Sequence, residues 1–160
     1  MLTVLRAIEF LGLSIWLGSD VFLSFVVAPG AFSVLASRDQ AGAIVGYSFA
    51  GMHSVGIVCG LLILLVRVVR TRSLAGLAAP ATWCVMGMIL LTLVSQMAVI
   101  PKMAVLRAQM GSIEATRAGS ALLAEFARLH AVSVALESGV LLAGIAALVW
   151  MVREAESSIR

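Results

Sequence analysis

The chain has 160 residues, of which 62% are apolar and only 12% carry a charge. Soluble domains carry about 25% charged residues, and the mean hydropathy of +1.12 also excludes a soluble globular domain. The composition therefore predicts an integral membrane protein surrounded by the lipid bilayer. The net charge of +3 comes without a basic patch interleaved with aromatic residues, so no nucleic acid is expected as a partner.

Four apolar stretches are long enough to cross a bilayer, which takes about 20 helical residues. The predicted spans are residues 2–28, 41–66, 78–100 and 126–152. We expect the first span to end at Pro29 and the third to end at Pro101, because proline interrupts a helix. Short first and second connections make neighbouring spans antiparallel. The prediction is therefore a single all-α transmembrane domain, an integral membrane up-down four-helix bundle.

The connection between the third and fourth spans, residues 101–125, has an amphipathic pattern. Its apolar residues recur at spacings of three and four: Met103, Leu106, Met110 and Ile113. This periodicity predicts either a separate helix lying on the membrane surface or, equally well, a fourth helix that begins early, near Ser120.

The arginines of the second connection predict the orientation. Arg67, Arg70 and Arg72 make this short segment strongly basic, and basic connections favour the cytoplasmic side. We therefore expect a multi-pass protein of the cell inner (plasma) membrane with both termini in the cytoplasm.

Small residues recur at four-residue spacing within the spans. Gly42 and Gly46 form such a pair in the second span, and Gly56 and Gly60 form another. Small residues allow helix backbones to approach each other closely in lipid. The pattern therefore predicts close helix contacts and carries no information about activity.

Polar side chains inside the spans mark the candidate functional residues, because a charge at the centre of a membrane helix costs about 2.5–3.5 kcal/mol. The predicted solute or proton pathway consists of Asp20, Gln96, His130 and Glu137. Glu137 lies deep in the fourth span, so a functional or tightly paired role is expected. For Glu9, near the start of the first span, a structural role with Arg6 or water as partner is favoured.

The two histidines allow a different hypothesis. His53 and His130 lie in the second and fourth spans, which run parallel in an up-down bundle. Two histidines on facing helices can ligate a b-type haem. A hydrogen bond from each histidine to a carboxylate or carbonyl is the favoured interpretation, and haem b remains the alternative cofactor.

The order of several motifs resembles the transmembrane protein 205-like family. The resemblance rests on Trp16-Leu17-Gly18, on the segment 40–46, on Ile100-Pro101-Lys102-Met103 and on Phe126-Ala127-Arg128-Leu129-His130. It implies a four-span membrane protein, and the link of an animal member to platinum-drug resistance implies export or trafficking. This chain departs from the family at Ala50 and Ala131, where proline and glycine are common, and at Glu137, where asparagine is common.

Together these patterns predict a small membrane protein that binds or transports a small solute or metal species. The alternatives are a b-haem electron-transfer protein ligated by His53 and His130, and a structural subunit of a larger membrane complex. Nucleotide-binding and hydrolase motifs are missing from the sequence, so enzymatic activity is not expected. A single small bundle offers little room for a pathway, so a homo-oligomer or a partner within a membrane complex is expected.

Overall fold

The computed structural model describes residues 2–73 and 77–157. Within these residues the chain forms four long helices and no strand. The helices are α1 (Leu2–Val34), α2 (Arg38–Thr71), α3 (Pro80–Met110) and α4 (Ala121–Ser157). Each helix is long and apolar enough to cross a bilayer. The all-α class with four candidate spans is therefore confirmed.

The four helices form two helical hairpins that pack side by side. α1 packs mainly against α2, and α3 packs mainly against α4. Contacts of α2 with α3 and of α1 with α4 close the ring, so α1 faces α3 and α2 faces α4 across the diagonals. Arg70 near the end of α2 reaches Glu9 near the start of α1, which makes these two helices antiparallel. We call this end of the bundle the arginine end, and the other the opposite end.

Two helices continue through prolines that were expected to end them. In α1 a π-helical turn, Leu23–Val27, precedes Pro29, and in α3 a π-helical turn, Ser95–Val99, precedes Pro101. Each proline therefore lies in the first turn of a new α-helical segment, where a missing N–H is tolerated. The structure thus corrects the expectation that the helices end at these prolines.

The segment between the third and fourth spans is not a separate surface helix. Its first part, Ile100–Met110, continues α3, and Leu106 within it is buried. Residues 111–120 form turns without a helix, and the Ser120 hydroxyl then accepts a hydrogen bond from the N–H of Leu123 in α4. The alternative of a fourth helix that begins near Ser120 is therefore confirmed, and the expectation of an independent amphipathic helix is corrected.

The most tightly packed part of the bundle lies between its centre and the arginine end. The core consists of Leu13, Trp16, Cys59, Ile63, Ala81, Val85, Met88, Val140, Ala147 and Met151. In the other direction α4 contributes no buried residue before Glu137, whereas Ala41 of α2 and Leu106 of α3 are still buried there. On the side of α4, the bundle is therefore packed more closely toward the arginine end than toward the opposite end.

Three glycines of α2 differ in how closely other helices approach them. Gly56 and Gly60 let the indole of Trp16 lie against α2, and a Cβ added at Gly60 would come within 2.7 Å of this ring. Gly46, nearer the opposite end, has nothing within 4 Å of an added Cβ. Close helix contact therefore occurs at the Gly56–Gly60 pair but not at Gly46.

The first helices of the two hairpins, α1 and α3, share the spacing of three features. In both α1 and α3 the π-helical turn begins six residues before the proline. A buried polar residue stands nine residues before it in both helices, Asp20 before Pro29 and Thr92 before Pro101. The first helix of each hairpin therefore has a buried polar residue and a π-helical turn at the same distances from its proline.

Candidate intramembrane site

Three polar side chains meet in the interior of the bundle. Nε2 of His53 on α2 lies 3.1 Å from Oε2 of Glu137 on α4, and Nδ1 of His53 lies 2.9 Å from Oε1 of Gln96 on α3. The side chains of His53 and Glu137 are only 2% and 11% exposed. Because α2 and α4 face each other diagonally, the contact between His53 and Glu137 crosses the middle of the bundle.

The hydrogen bonds of His53 depend on the tautomer of its imidazole. With Oε1 of Gln96 as the acceptor, Nδ1 of His53 carries the hydrogen and donates it. A neutral imidazole with its hydrogen at Nδ1 has an acceptor at Nε2, which faces a carboxylate oxygen that is also an acceptor. One bound proton removes the conflict, either on the imidazole or on the carboxyl group. The His53–Glu137 pair is therefore suited to bind one proton and is electrically neutral when it does.

Asp20 of α1 adds a second carboxylate to this group. It is 1% exposed, and it lies close enough to Glu137 and His53 to interact electrostatically with both. Its Oδ1 accepts a hydrogen bond of 3.2 Å from the Ser24 hydroxyl, whereas its Oδ2 has no hydrogen-bond partner. We call Asp20, His53, Gln96 and Glu137 the central cluster, since each lies near the middle of its helix.

The central cluster has an excess of acidic groups. It contains two carboxyl groups and one imidazole, and in the described parts of the chain no lysine or arginine contacts any of its members. One proton neutralises the His53–Glu137 pair but leaves the charge of Asp20. An uncompensated charge in an apolar interior is costly. The arrangement therefore favours the binding of a further proton or another small cation.

The π-helical turns lie next to the central cluster. Asp20 stands three residues before the turn in α1, and Gln96 belongs to the turn Ser95–Val99 in α3. The wider turn allows two successive residues to face inward, because Ser95 is fully buried while Gln96 bonds to His53. Such turns occur frequently at functional sites, so their position is a second indication of a site.

A different polar cluster lies at the arginine end. Nη2 of Arg67 lies 3.1 Å from Oε2 of Glu154 and 3.5 Å from Oε2 of Glu9, and Nε of Arg70 donates to Oε1 of Glu9 at 2.9 Å. Nη1 of Arg67 also donates to the Thr82 hydroxyl at 3.0 Å. We call Glu9, Arg67, Arg70 and Glu154 the arginine network. Its two carboxylates and two guanidinium groups balance each other and join α1, α2 and α4.

The arginine network corrects the expected partner of Glu9. Arg6 was expected to pair with it, but Nη1 of Arg6 lies 3.5 Å from the carbonyl oxygen of Ala155 instead. Glu9 is 3% exposed and is held by two arginines from the following helix. The expected structural role of Glu9 therefore fits its position, with different partners.

The predicted pathway residues are brought together only in part. Asp20, Gln96 and Glu137 belong to the central cluster, whereas His130 is exposed. His130 precedes Glu137 by seven residues, or about 10 Å along the helix axis. It lies on nearly the same face of α4 as Glu137, in the loosely packed half. His130 therefore lies outside the central cluster, on the side of the bundle that is more open.

The arrangement does not fit a haem held by His53 and His130. Both ring nitrogens of His53 are within hydrogen-bond distance of Gln96 and Glu137, so neither is free for an iron. His130 is exposed on a different level of the bundle. The favoured prediction for His53, a hydrogen bond to a carboxylate, matches the structure.

Sequence reasoning missed two polar residues beside the central cluster. Thr92 and Ser95 are 1% and 0% exposed, and their hydroxyl groups have no hydrogen-bond partner. A threonine or serine in a membrane helix is unremarkable by itself, because its hydroxyl commonly bonds to its own helix. The nine-residue spacing shared by Thr92–Pro101 and Asp20–Pro29 was the signal that could have identified Thr92.

Comparison with known proteins supplies a family but no activity. Neither the curated proteins nor the solved structures give a match to this chain. The profile of one protein family matches residues 11–112, more than half of the chain, and this range includes Asp20, His53 and Gln96 but not Glu137. The chain therefore belongs to the family described as domain of unknown function DUF4149.

Proposed function

We propose that the protein binds a small cation at the central cluster and carries it across the membrane. The observation that carries this proposal is the acidic excess of the cluster, where two carboxyl groups face one imidazole without a lysine or arginine partner in the described residues. Ionisable groups inside a bilayer mark ion and proton pathways when they are not neutralised by each other. The position of the cluster near the middle of the four candidate spans supports the same function.

The packing of the bundle supports entry from the opposite end. Toward the arginine end, the apolar core and the arginine network separate the central cluster from water. Toward the opposite end, no residue of α4 before Glu137 is buried, and His130 on the same face is exposed. His130 therefore lines the proposed entrance rather than the binding site itself.

Orientation and assembly complete the proposal. The basic second connection favours a cytoplasmic arginine end, so the entrance would face the outside of the plasma membrane, with both termini inside. A homo-oligomer or a partner within a membrane complex is part of the proposal, because one bundle of this size encloses little space. A reporter fused to the C-terminus, active only in the cytoplasm, tests the orientation.

Cation flux through the reconstituted protein tests the function. Full-length protein is inserted into liposomes, a membrane potential is imposed, and the uptake of protons, sodium, potassium and ammonium is measured separately. We expect at least one of these cations to enter faster than in empty liposomes. Asp20→Asn and Glu137→Gln should each lower that flux by about tenfold or more, because intramembrane carboxylates carry the charge.

The control variant is Glu125→Gln, which removes an exposed carboxylate from the same helix as Glu137. Its flux should stay within about twofold of the unmodified protein, as expected for a charge outside the pathway. Equal losses in Glu125→Gln and Glu137→Gln would contradict the proposal, as would cation uptake no faster than in empty liposomes.

Two other functions predicted from the sequence give different results in simple measurements. A b-haem protein would show a Soret band, with sharp bands after reduction, in the optical spectrum of the purified protein. A structural subunit would copurify with a stoichiometric partner and carry no cation by itself. A Soret band without cation flux would support the haem protein, and a stoichiometric partner without cation flux would support the structural subunit; both results would contradict transport.

A further inference from the structure

The surroundings of the central cluster contain polar atoms that have no partner. Five buried side chains contribute one such atom each: Trp16 Nε1, Asp20 Oδ2, Thr92 Oγ1, Ser95 Oγ and Glu137 Oε1. Buried polar atoms in proteins almost always have a hydrogen-bond partner. Five such atoms around a single pair of carboxyl groups therefore indicate a site for a hydrogen-bonding ligand.

The orientation of Trp16 places its N–H on the side of the central cluster. An added Cβ at Gly56 would meet Nε1, Cε2 and Cδ1 of the indole, whereas one at Gly60 would meet Cζ3 at the other side of the ring. Gly56 is one helical turn from His53, and Gly60 is two turns away. The indole N–H therefore lies at the end of the ring that is nearer to His53.

The chemical character of these atoms matches water better than a metal ion. The indole of Trp16 only donates, the carboxylates of Asp20 and Glu137 accept, and the hydroxyls of Thr92 and Ser95 do both. Water needs such a mixed set of donors and acceptors, whereas an indole N–H cannot ligate a cation. In the described parts of the chain, no three His, Cys, Asp or Glu residues are grouped so that they could hold a metal.

We propose that the carried cation is the proton, and that it passes between Asp20 and the His53–Glu137 pair through water held by the five unpaired atoms. This inference rests on the proposed function and names its substrate. The protonated carboxyl group of Asp20 gives its proton to a water, and the same water gives another of its protons to Glu137. The net result is a neutral Glu137 and an ionised Asp20, with the water unchanged.

The titratable groups that face this path come from three helices. They are Asp20 on α1, His53 on α2 and Glu137 on α4, while α3 contributes the uncharged side chains of Thr92, Ser95 and Gln96. Gln96 holds His53 with Nδ1–H as a donor, so Nε2 stays directed at Glu137. His53 therefore holds the carboxyl group of Glu137 in place and is a positioning residue for the exchange with Asp20.

Proton flux in liposomes that contain a pH-sensitive dye tests the proposal. A potassium gradient with valinomycin supplies the potential, and parallel liposomes report sodium and ammonium uptake. We expect proton uptake by the unmodified protein, about tenfold less in Asp20→Asn and Glu137→Gln, and little change in Glu125→Gln. Sodium uptake without proton uptake would overturn the proton assignment and leave the proposed cation transport standing. Uptake of neither species would overturn both.

Thr92→Val separates a water-holding role from a structural role. The change removes an unpaired hydroxyl without a large change of shape, which is neutral or stabilising for the fold. We expect an unchanged or higher unfolding temperature together with a proton flux that is about threefold lower. A stable Thr92→Val protein with unchanged proton flux would contradict the proposed path through water.

A spectroscopic measurement keeps the proposal testable when flux is small. The infrared C=O stretch of protonated carboxyl groups is compared between the unmodified protein, Asp20→Asn and Glu137→Gln in detergent over a range of pH. We expect a band that responds to pH and is lost or shifted in both variants. The same band in Glu137→Gln as in the unmodified protein would show that Glu137 does not exchange the proton and would overturn the proposal.

Discussion

The arginine network and the central cluster are both buried, and both join several helices, but their charges differ. In the arginine network Glu9 and Glu154 face Arg67 and Arg70, so negative and positive groups are equal in number. In the central cluster Asp20 and Glu137 face only the imidazole of His53. The network also contains unpartnered atoms, Arg67 Nε and Glu154 Oε1 among them. The difference between the two clusters is therefore one of charge balance.

Under the proposed function, this difference separates a cluster that stabilises the fold from a cluster that binds a cation. A buried ion pair that is fully compensated fixes helix ends in place, and removing one partner is costly because the other is left uncompensated. An ionised acidic group without a positive partner is stabilised when it binds a proton or cation. Its state therefore depends on the pH and on the cations present. Substitutions in the two clusters should therefore have opposite consequences for stability and transport.

Arg67→Met should give the largest loss of stability. Arg67 is 1% exposed and contacts both Glu9 and Glu154, so the substitution leaves these two carboxylates with Arg70 as the one remaining cation of the network, an excess of one negative charge. We expect the free energy of unfolding to fall by about 3–5 kcal/mol, measured by denaturation in detergent. Arg153→Met is the matched control, because Arg153 is exposed and only approaches the Trp150 ring, at 5.3 Å. The control should cost about 1 kcal/mol or less.

Equal effects of the two arginine substitutions would contradict the structural role of the network. The double variant Arg67→Met with Glu154→Gln sharpens the result. Since it also removes one of the carboxylates that lost a partner, it should be more stable than Arg67→Met alone. A double variant less stable than the single one would show that packing around Arg67, and not charge balance, stabilises this end.

Gly56→Ala should have the next largest effect, because it tests the closed half of the bundle. The added Cβ would overlap the indole of Trp16, which is fully buried. Overpacking of this kind costs about 1–3 kcal/mol. Gly46→Ala on the same helix meets nothing within 4 Å and should be neutral or stabilising by up to about 1 kcal/mol. Thermal unfolding of both variants gives the comparison, and similar unfolding temperatures would contradict the difference in packing.

The sequence was sufficient to predict the four spans, because hydrophobic stretches of this length have few alternatives in an all-helical membrane protein. It also predicted Asp20, Gln96 and Glu137 as candidate residues, because polar groups inside such stretches are rare, and the structure brings these three together around His53. It could not identify the partner of Glu9, because the sequence offers two candidates, Arg6 on the same helix and Arg70 on the next one. Partner choice depends on how the helices rotate about their axes, and local sequence does not determine this rotation.

The same limit explains why the sequence predicted neither that the helices continue through the prolines nor that His130 lies apart from the central cluster. Proline lacks the backbone N–H and clashes with the preceding helical turn, and π-helical turns before Pro29 and Pro101 accommodate the two prolines within continuous helices. The seven-residue spacing of His130 and Glu137 predicts that they share a face of α4. It does not predict that His130 is exposed while Glu137 is buried. The continuation of the helices and the exposure of His130 both depend on tertiary packing.

Glu137→Gln should have the smallest effect on stability, which makes it the most direct test of charge balance. The amide N–H of the new side chain can donate to Nε2 of His53 while Nδ1 still donates to Gln96, so every group is satisfied without a bound proton. The cluster also loses part of its excess negative charge. We expect the free energy of unfolding to change by less than about 1 kcal/mol, or to rise, as is common when a functional group is removed.

The matched change is Glu9→Gln, the same substitution in the balanced cluster. It leaves Arg67 and Arg70 with a single carboxylate, Glu154, and should cost about 2–3 kcal/mol, because Arg67 is buried and Arg70 is partly exposed to water. Denaturation of the two variants under identical conditions therefore compares the effect of the same Glu→Gln substitution in the two clusters. A larger loss in Glu137→Gln than in Glu9→Gln would mean that the central cluster holds the helices together. The carboxylate of Glu137 would then be a structural partner of His53. The acidic excess of the central cluster would no longer support cation transport.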